Sequence, residues 1–220
     1  MTDSKNLEKL PFWEQLSEEE KELFSVNSHI CKYEKGHVFH NNGNECLGML
    51  MLLSGEMRVM ILSDEGREIT LYRLYAGEIC GLTASCVLNC ITFETQMTAS
   101  EECTALILSS PAFEKLIREN IYVRCFMYEL LSDRFSSVMW TMQMILFKGF
   151  DKRLASFLIE EYERTGQKSV RMTHDQIAEY TNSAREVVAR MLKRFAAEGL
   201  VEFKRGCITL KNIADLKALL

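Results

Sequence analysis

No CxxC pair, no phosphate-binding glycine loop, no HExxH helix and no nucleophile motif occurs in the sequence. A zinc ribbon or thioredoxin-type site therefore has no support, and nothing calls for catalysis. Long apolar runs are also missing. The start, MTDSKNLEKLPFWEQLSEEEKELF, lacks the apolar core of a signal peptide, and the longest uncharged apolar stretch, residues 135–147, is broken by Ser, Thr and Gln. A soluble, cytoplasmic protein with no membrane partner is the expectation. There is neither an internal repeat nor a low-complexity tract, and 47% hydrophobic with 26% charged residues is a folded rather than a disordered composition. The eight cysteines, at 31, 46, 80, 86, 90, 103, 125 and 207, lie in apolar or strand-like contexts of a chain without an export signal. Reduced thiols are expected, not disulfides.

Positive charge is scarce overall and unevenly spread. The formal net charge is −5, yet residues 1–147 carry net −9 and residues 148–220 net +4. An acidic chain with a basic C-terminal third suggests a polyanion as the partner of that third.

Residues 13–25 read as a short amphipathic helix, with Ser17 and Glu20 spaced as a capping box. From His29 to about Leu108, short strand-like runs alternate with glycines at 36, 43, 48, 55, 66, 77 and 81, the texture of a β-barrel or sandwich. SDEGRE at 63–68 reads as a hairpin turn between two of these strands. Pro111 opens a helical region that runs to about Phe147. Met127, Leu131, Phe135, Val138, Met142 and Ile145 recur there at spacings of three and four, with Leu130, Met139, Trp140 and Leu146 beside them and no charge between Arg134 and Lys148. One small barrel would cover only one stripe of such a helix. The surplus is expected to meet the same helix of a second subunit, the other reading being a wedge between two domains. KGFD at 148–151 reads as a hinge. The expected domains are residues 1–110, 111–147 and 148–220.

Thr173–Ala197 carries the parts of a helix-turn-helix. Thr173 is an N-cap for HDQIAEYT, Ala178 is small where two helices approach, and Asn182 tolerates the left-handed backbone of a sharp turn. SAREVVARMLKR at 183–194 follows. At about 100° per residue, Arg185, Ala189, Lys193, Glu186, Arg190 and Ser183 share one face, while Val187, Met191, Ala184, Phe195, Val188 and Leu192 form the apolar stripe. Arginine can bind guanine through two hydrogen bonds and glutamate can accept from the cytosine amino group, so Arg185, Glu186 and Arg190 suit base edges. Ser183, Lys193, Arg194 and Thr173 suit phosphates, as do Lys204 and Arg205 at the tip of VEFKRGCITL, which reads as a two-stranded wing. Double-stranded DNA is the expected partner.

KGHVF at 35–39, LLSGEMRVMILSDEGREITLYRLYAGEICG at 52–81 and QIAEYTNSAREVVARMLKRF at 176–195, in that order, resemble the cyclic-AMP receptor protein and fumarate-nitrate reductase regulator (CRP/FNR) family over nearly the full length. The resemblance implies an α+β chain: an N-terminal β-roll like a cyclic-nucleotide-binding domain, a long dimerisation helix and a C-terminal winged helix-turn-helix. It implies a homodimer that controls transcription in response to an effector sensed in the roll, with RNA polymerase as a further candidate partner. By the match of REVVAR, Arg185, Glu186 and Arg190 would contact bases.

The effector pocket implied by the resemblance comprises Gly77, Glu78, Cys80, Thr83, Cys86, Cys90 and Glu94. Gly77 and Glu78 supply the turn and a potential ribose-binding carboxylate, but Leu74–Glu114 contains no Arg or Lys, and TFETQ stands where the family's phosphate-binding arginine should fall. A buried phosphate beside Glu94 without a cation is unfavourable. Cyclic AMP is expected to bind weakly or not at all, the alternative being a genuine cyclic-nucleotide-responsive regulator. If TASCVLNC is helical, Cys86 and Cys90 share a face and Thr83 could cap it. Core filling and thiol or metal sensing are the two readings of these cysteines. A rival from another class, a cupin-like metalloenzyme using His37, His40 and Glu45, is disfavoured because His37 and His40, three apart, would point to opposite faces of a strand.

Overall fold

The structure, a computed structural model, describes residues 4–40, 48–80 and 95–220. By its internal contacts the chain divides into two compact units, Met1–Arg67 with Leu71–Val138, and Glu68–Thr70 with Met139–Leu220.

The first unit opens with α1 (Ser4–Leu7), a single 3-10 turn at Trp13–Gln15, and α2 (Glu18–Asn27). The helix expected over 13–25 thus begins later, at the Ser17 cap. Ser17 Oγ accepts the Glu20 N–H at 3.3 Å, and Glu20 Oε2 accepts the Ser17 N–H at 2.7 Å, completing the capping box.

Among the described residues the strands that follow are β1 (Ser28–Tyr33), β2 (Val38–His40), β3 (Met49–Ser54), β4 (Glu56–Leu62), β5 (Glu68–Tyr75), β6 (Ile79–Cys80), β7 (Gln96–Ala99) and β8 (Cys103–Leu108). They form two four-stranded sheets, ordered β1-β8-β3-β6 and β2-β7-β4-β5. β3 and β8 are apolar on both faces because each divides two cores. Met49, Met51, Leu106 and Leu108 point into a cluster with Phe24, Phe113 and Met127 of the flanking helices. Their neighbours Leu50, Leu52, Ala105 and Ile107 point into the inter-sheet cluster with Phe39, Val59, Leu74 and Met97. A side-chain period of two serves both cores from one strand. At Gly55, between β3 and β4, φ is +89°, and a Cβ would lie 2.6 Å from the Glu102 carbonyl oxygen. Only glycine fits that turn without strain.

α3 (Ser110–Glu119) carries Pro111 in its first turn. Asn120 then separates it from α4 (Ile121–Phe147), so the helical region is two helices. The Asn120 carboxamide bridges three elements. Its oxygen accepts the N–H groups of Tyr122 and Val123, which caps α4, and its nitrogen donates to Glu20 and to the Gln15 carbonyl.

In the second unit, α5 (Phe150–Thr165), α6 (His174–Tyr180), α7 (Arg185–Ala197) and α8 (Ile213–Ala218) surround a core of Leu154, Leu158, Ile177, Val188, Leu192, Phe195, Ile208 and Leu216. VEFKRGCITL forms the expected two-stranded hairpin, β10 (Val201–Lys204) with β11 (Cys207–Leu210), and β9 (Ser169–Val170) adds a third strand on the other side of β11. No helix among the described residues is long and apolar enough to cross a membrane.

Candidate nucleic-acid interface and effector site

The turn between α6 and α7 is built from side-chain hydrogen bonds. Thr173 Oγ1 accepts the Gln176 N–H at 3.2 Å while Gln176 Oε1 accepts the Thr173 N–H at 2.8 Å, so the N-terminus of α6 is capped from both sides. α6 ends where the Thr181 N–H donates to the Ile177 carbonyl at 2.9 Å. Asn182 follows with φ of +52°, the one non-glycine residue of positive φ among the described residues. Its carboxamide oxygen accepts the Thr70 N–H at 2.7 Å, its nitrogen donates to the Thr70 carbonyl at 3.0 Å, and the Thr70 hydroxyl donates to the Glu179 carbonyl at 2.8 Å. These bonds hold the turn to the start of β5, which groups with this second unit.

α7 starts at Arg185, two residues later than the SAREVVARMLKR stretch, with Ala184 as an exposed N-cap rather than part of the apolar stripe. Ser183 lies in the turn, its N–H donating to the Ala178 carbonyl. Val188, Leu192 and Phe195 have no exposed surface. Arg185, Glu186, Arg190, Lys193 and Arg194 are all exposed. Arg185 lies 3.8 Å from Asp175 of α6. Arg194 donates to Glu198 at 2.8 Å, and that bond raises the guanidinium above its ordinary pKa. At the wing tip Lys204 and Cys207 face each other across Arg205 and Gly206, whose φ of +72° lets two residues turn the chain. Lys204 and Arg205 are exposed.

In the roll, the Gly77 N–H donates to the Leu52 carbonyl and the Leu52 N–H to the Glu78 carbonyl, fixing the turn between β5 and β6 against β3. Glu78 Oε2 accepts the Tyr75 N–H at 2.9 Å. Glu78 itself is met by a cation from outside Leu74–Glu114: Arg134 of α4 lies 3.5 Å from Glu78 Oε1, its guanidinium over the Tyr72 ring. Sequence reasoning missed it because α4 was read only as a seam, and one arginine bordering an uncharged stretch was the sole signal. Cys80 is buried on β6. Thr83, Cys86, Cys90 and Glu94 lie outside the described residues, as does Glu45. Cys31, Cys103, Cys125 and Cys207 are free thiols.

Two corrections concern the seam of α4. Met127 has 1% exposure inside its own subunit's helix-side core, and Val138 packs on the inter-sheet core. Neither lies on a free outer face, since helical periodicity defines a face and not its partner. Phe135 and Met142 are exposed, with Leu131 and Ile145 half-buried.

Comparison with known proteins follows this division. Residues 30–120 match the cyclic nucleotide-binding domain model, and residues 152–219 match the Crp-like helix-turn-helix domain model. A crystal structure of a transcriptional regulator of the crp/fnr family from Eubacterium rectale is 40% identical, with a TM-score of 0.87, covering 96% of this chain and 98% of that one. The chain belongs to the CRP/FNR family. It is similar at 25% identity to the transcriptional regulator flp of Lacticaseibacillus casei, with 94% of each chain covered. It is 24% identical to the cyclic AMP receptor protein of Thermus thermophilus, covering 94% of this chain and 95% of that one. This CRP/FNR chain is a DNA-binding transcriptional regulator with an effector-binding domain, and it is not an enzyme. Regulators of the family bind DNA through this helix-turn-helix and act as dimers. The matches, all to transcriptional regulators, give the cupin-like alternative no support; His37 precedes β2 and makes ring contacts with Tyr33 and Phe39.

Proposed function

We propose that the chain forms a homodimer through α4 and reads a two-fold-related DNA site with Arg185, Glu186 and Arg190 of α7. One observation carries this reading: α7 buries Val188, Leu192 and Phe195 completely and leaves every charged side chain outside. Such a helix is fixed on one side and free to enter a major groove on the other. Ser183, Thr173, Lys193, Arg194, Lys204 and Arg205 contact phosphates, supplying affinity that falls with salt. Arg185 leaves Asp175 for guanine at little cost, because both partners of that pair are well exposed. Exposed Phe135, Met139, Trp140, Met142 and Leu146 form the dimer face. RNA polymerase is a further partner.

Cyclic AMP is not the effector in this reading. Glu78 is taken by Arg134 and the Tyr75 N–H, which leaves neither a free ribose acceptor nor a free cation for the phosphate. The competing reading, a cyclic-nucleotide-responsive regulator, is favoured by the match of residues 30–120.

Selection of bound duplexes from a random pool, with and without cyclic AMP, tests both. A palindromic consensus independent of cyclic AMP is expected. Recovery of no consensus removes the DNA-reading assignment, and a consensus obtained only with cyclic AMP removes the effector assignment.

A further inference from the structure

Among the described residues β5 is an edge strand, so alternate peptide groups along its outer side have no neighbouring strand to bond. At Thr70 a side chain takes the place of that strand. The Asn182 carboxamide accepts the Thr70 N–H through its oxygen at 2.7 Å and donates through its nitrogen to the Thr70 carbonyl at 3.0 Å, pairing with β5 as another peptide would. The Thr70 hydroxyl donates to the Glu179 carbonyl at 2.8 Å. Glu179 lies in the last turn of α6, where carbonyls have no partner within the helix. From α5, Arg153 Nη1 lies 3.5 Å from the Asn182 carbonyl oxygen. Glycine would adopt the φ of Asn182 more easily, but it would make neither carboxamide bond.

We propose that Thr70 is a positioning residue for base reading: acting through Asn182 and Glu179, it fixes the angle at which α7 leaves α6. This rests on the DNA-reading role proposed above for Arg185, Glu186 and Arg190. The helix-turn-helix does not supply the clasp from its own sequence. The partner lies 112 residues earlier, in Glu68–Thr70, which groups with the second unit. Thr70 is buried, so it works through the turn and not by touching DNA. Asn182 stands three residues ahead of Arg185, and a displacement of the turn is carried straight to the first base-reading side chain. Hydrogen bonds to base edges weaken steeply once distance and angle are lost, whereas attraction between a cation and a phosphate falls off gently with separation. A loosened turn therefore costs sequence choice before it costs general affinity for duplexes.

Full-length Thr70→Val, Thr70→Ser and Asn182→Gly are compared with wild type on two duplexes of equal length, the consensus recovered by the selection above and a scrambled sequence, with urea midpoints on the same samples. Valine keeps the branched shape of threonine and removes the hydroxyl. Its affinity for the consensus is expected to fall about fivefold, the effect of one lost hydrogen bond, while the scrambled duplex is bound as by wild type. Thr70→Ser returns the hydroxyl and restores consensus binding. Asn182→Gly keeps the left-handed turn but loses both carboxamide bonds, and its consensus affinity falls at least about tenfold. The idea is overturned if Thr70→Val and Asn182→Gly bind the consensus as wild type does, if they weaken both duplexes equally, or if serine fails to restore binding. Should Thr70→Val not fold, Asn182→Gly decides the same comparison, and loss of folding in both also overturns it, since the clasp would then hold the unit together without aiming α7. Wild type separates the two claims: a chain that does not distinguish the duplexes sinks the DNA-reading role beneath, whereas normal discrimination that survives in the variants sinks only the role of Thr70.

Discussion

α7 and α4 each carry a broad apolar surface, but they complete it differently. α7 closes Val188, Leu192 and Phe195 against its own unit and exposes charge. α4 buries only Val123 and Met127 and exposes Phe135 at 67%, Trp140 at 52% and Leu146 at 65%. An amphipathic helix needs only its domain and leaves its polar side for a polar ligand such as DNA. A helix apolar nearly all round needs a second apolar surface, and the uncharged run after Arg134 makes another copy of itself a suitable one.

The contrast can be broken most sharply at Phe195. Phe195→Ala is expected to cost about 3–5 kcal/mol, read as a loss of the second unit's stability in urea, and to abolish DNA binding through unfolding. Next comes Phe135→Glu with Trp140→Glu, which should yield folded monomers by sedimentation and weaken binding to a two-half-site duplex at least about a hundredfold. Subunits that remain paired would show that α4 is covered in another way. Arg190→Ala leaves stability unchanged and costs about 1–3 kcal/mol in affinity, relaxing selection at one base pair per half-site. Lys193→Ala is milder, weakening all duplexes alike and lowering the salt-dependence slope by about one.

The smallest effect concerns the anchored start of α4, where Glu20 accepts from Asn120. Burial would raise the Glu20 pKa, but the Ser17 backbone, Asn120 and the Ser17 hydroxyl together hold it below its ordinary 4.5. A lowered folded-state pKa gives stability that is fully present above that ordinary value and lost as pH falls through the folded one. Wild type and Glu20→Gln should therefore differ by a constant amount near neutrality and converge in acid, as urea midpoints against pH would show.

The helix-turn-helix was legible because its signals are local. A cap at Thr173, a left-handed Asn182 and a 3.6-residue apolar period each lie within one or two turns of chain. The roll was legible as a texture, since glycine-separated short strands have few alternatives. β9 was not, because two residues carry no period and the strand exists only through pairing with β11. Met127 was placed on the wrong surface for a related reason: spacing shows which residues share a side of α4 and says nothing of what lies against it. Arg134 was invisible as a partner of Glu78 because the two meet only after β5, β6 and α4 have packed.

β3 and β8 are party walls, each residue belonging to the room opposite its neighbour's. Leu50 and Met51 cannot lose order one without the other, so the inter-sheet and helix-side interiors must melt as a single cooperative block. The second unit's interior shares no strand with either and has its own ledger of contacts. Amide exchange should report that arrangement as one rate class for the slowest protons of both β3 and β8, whichever way their side chains point.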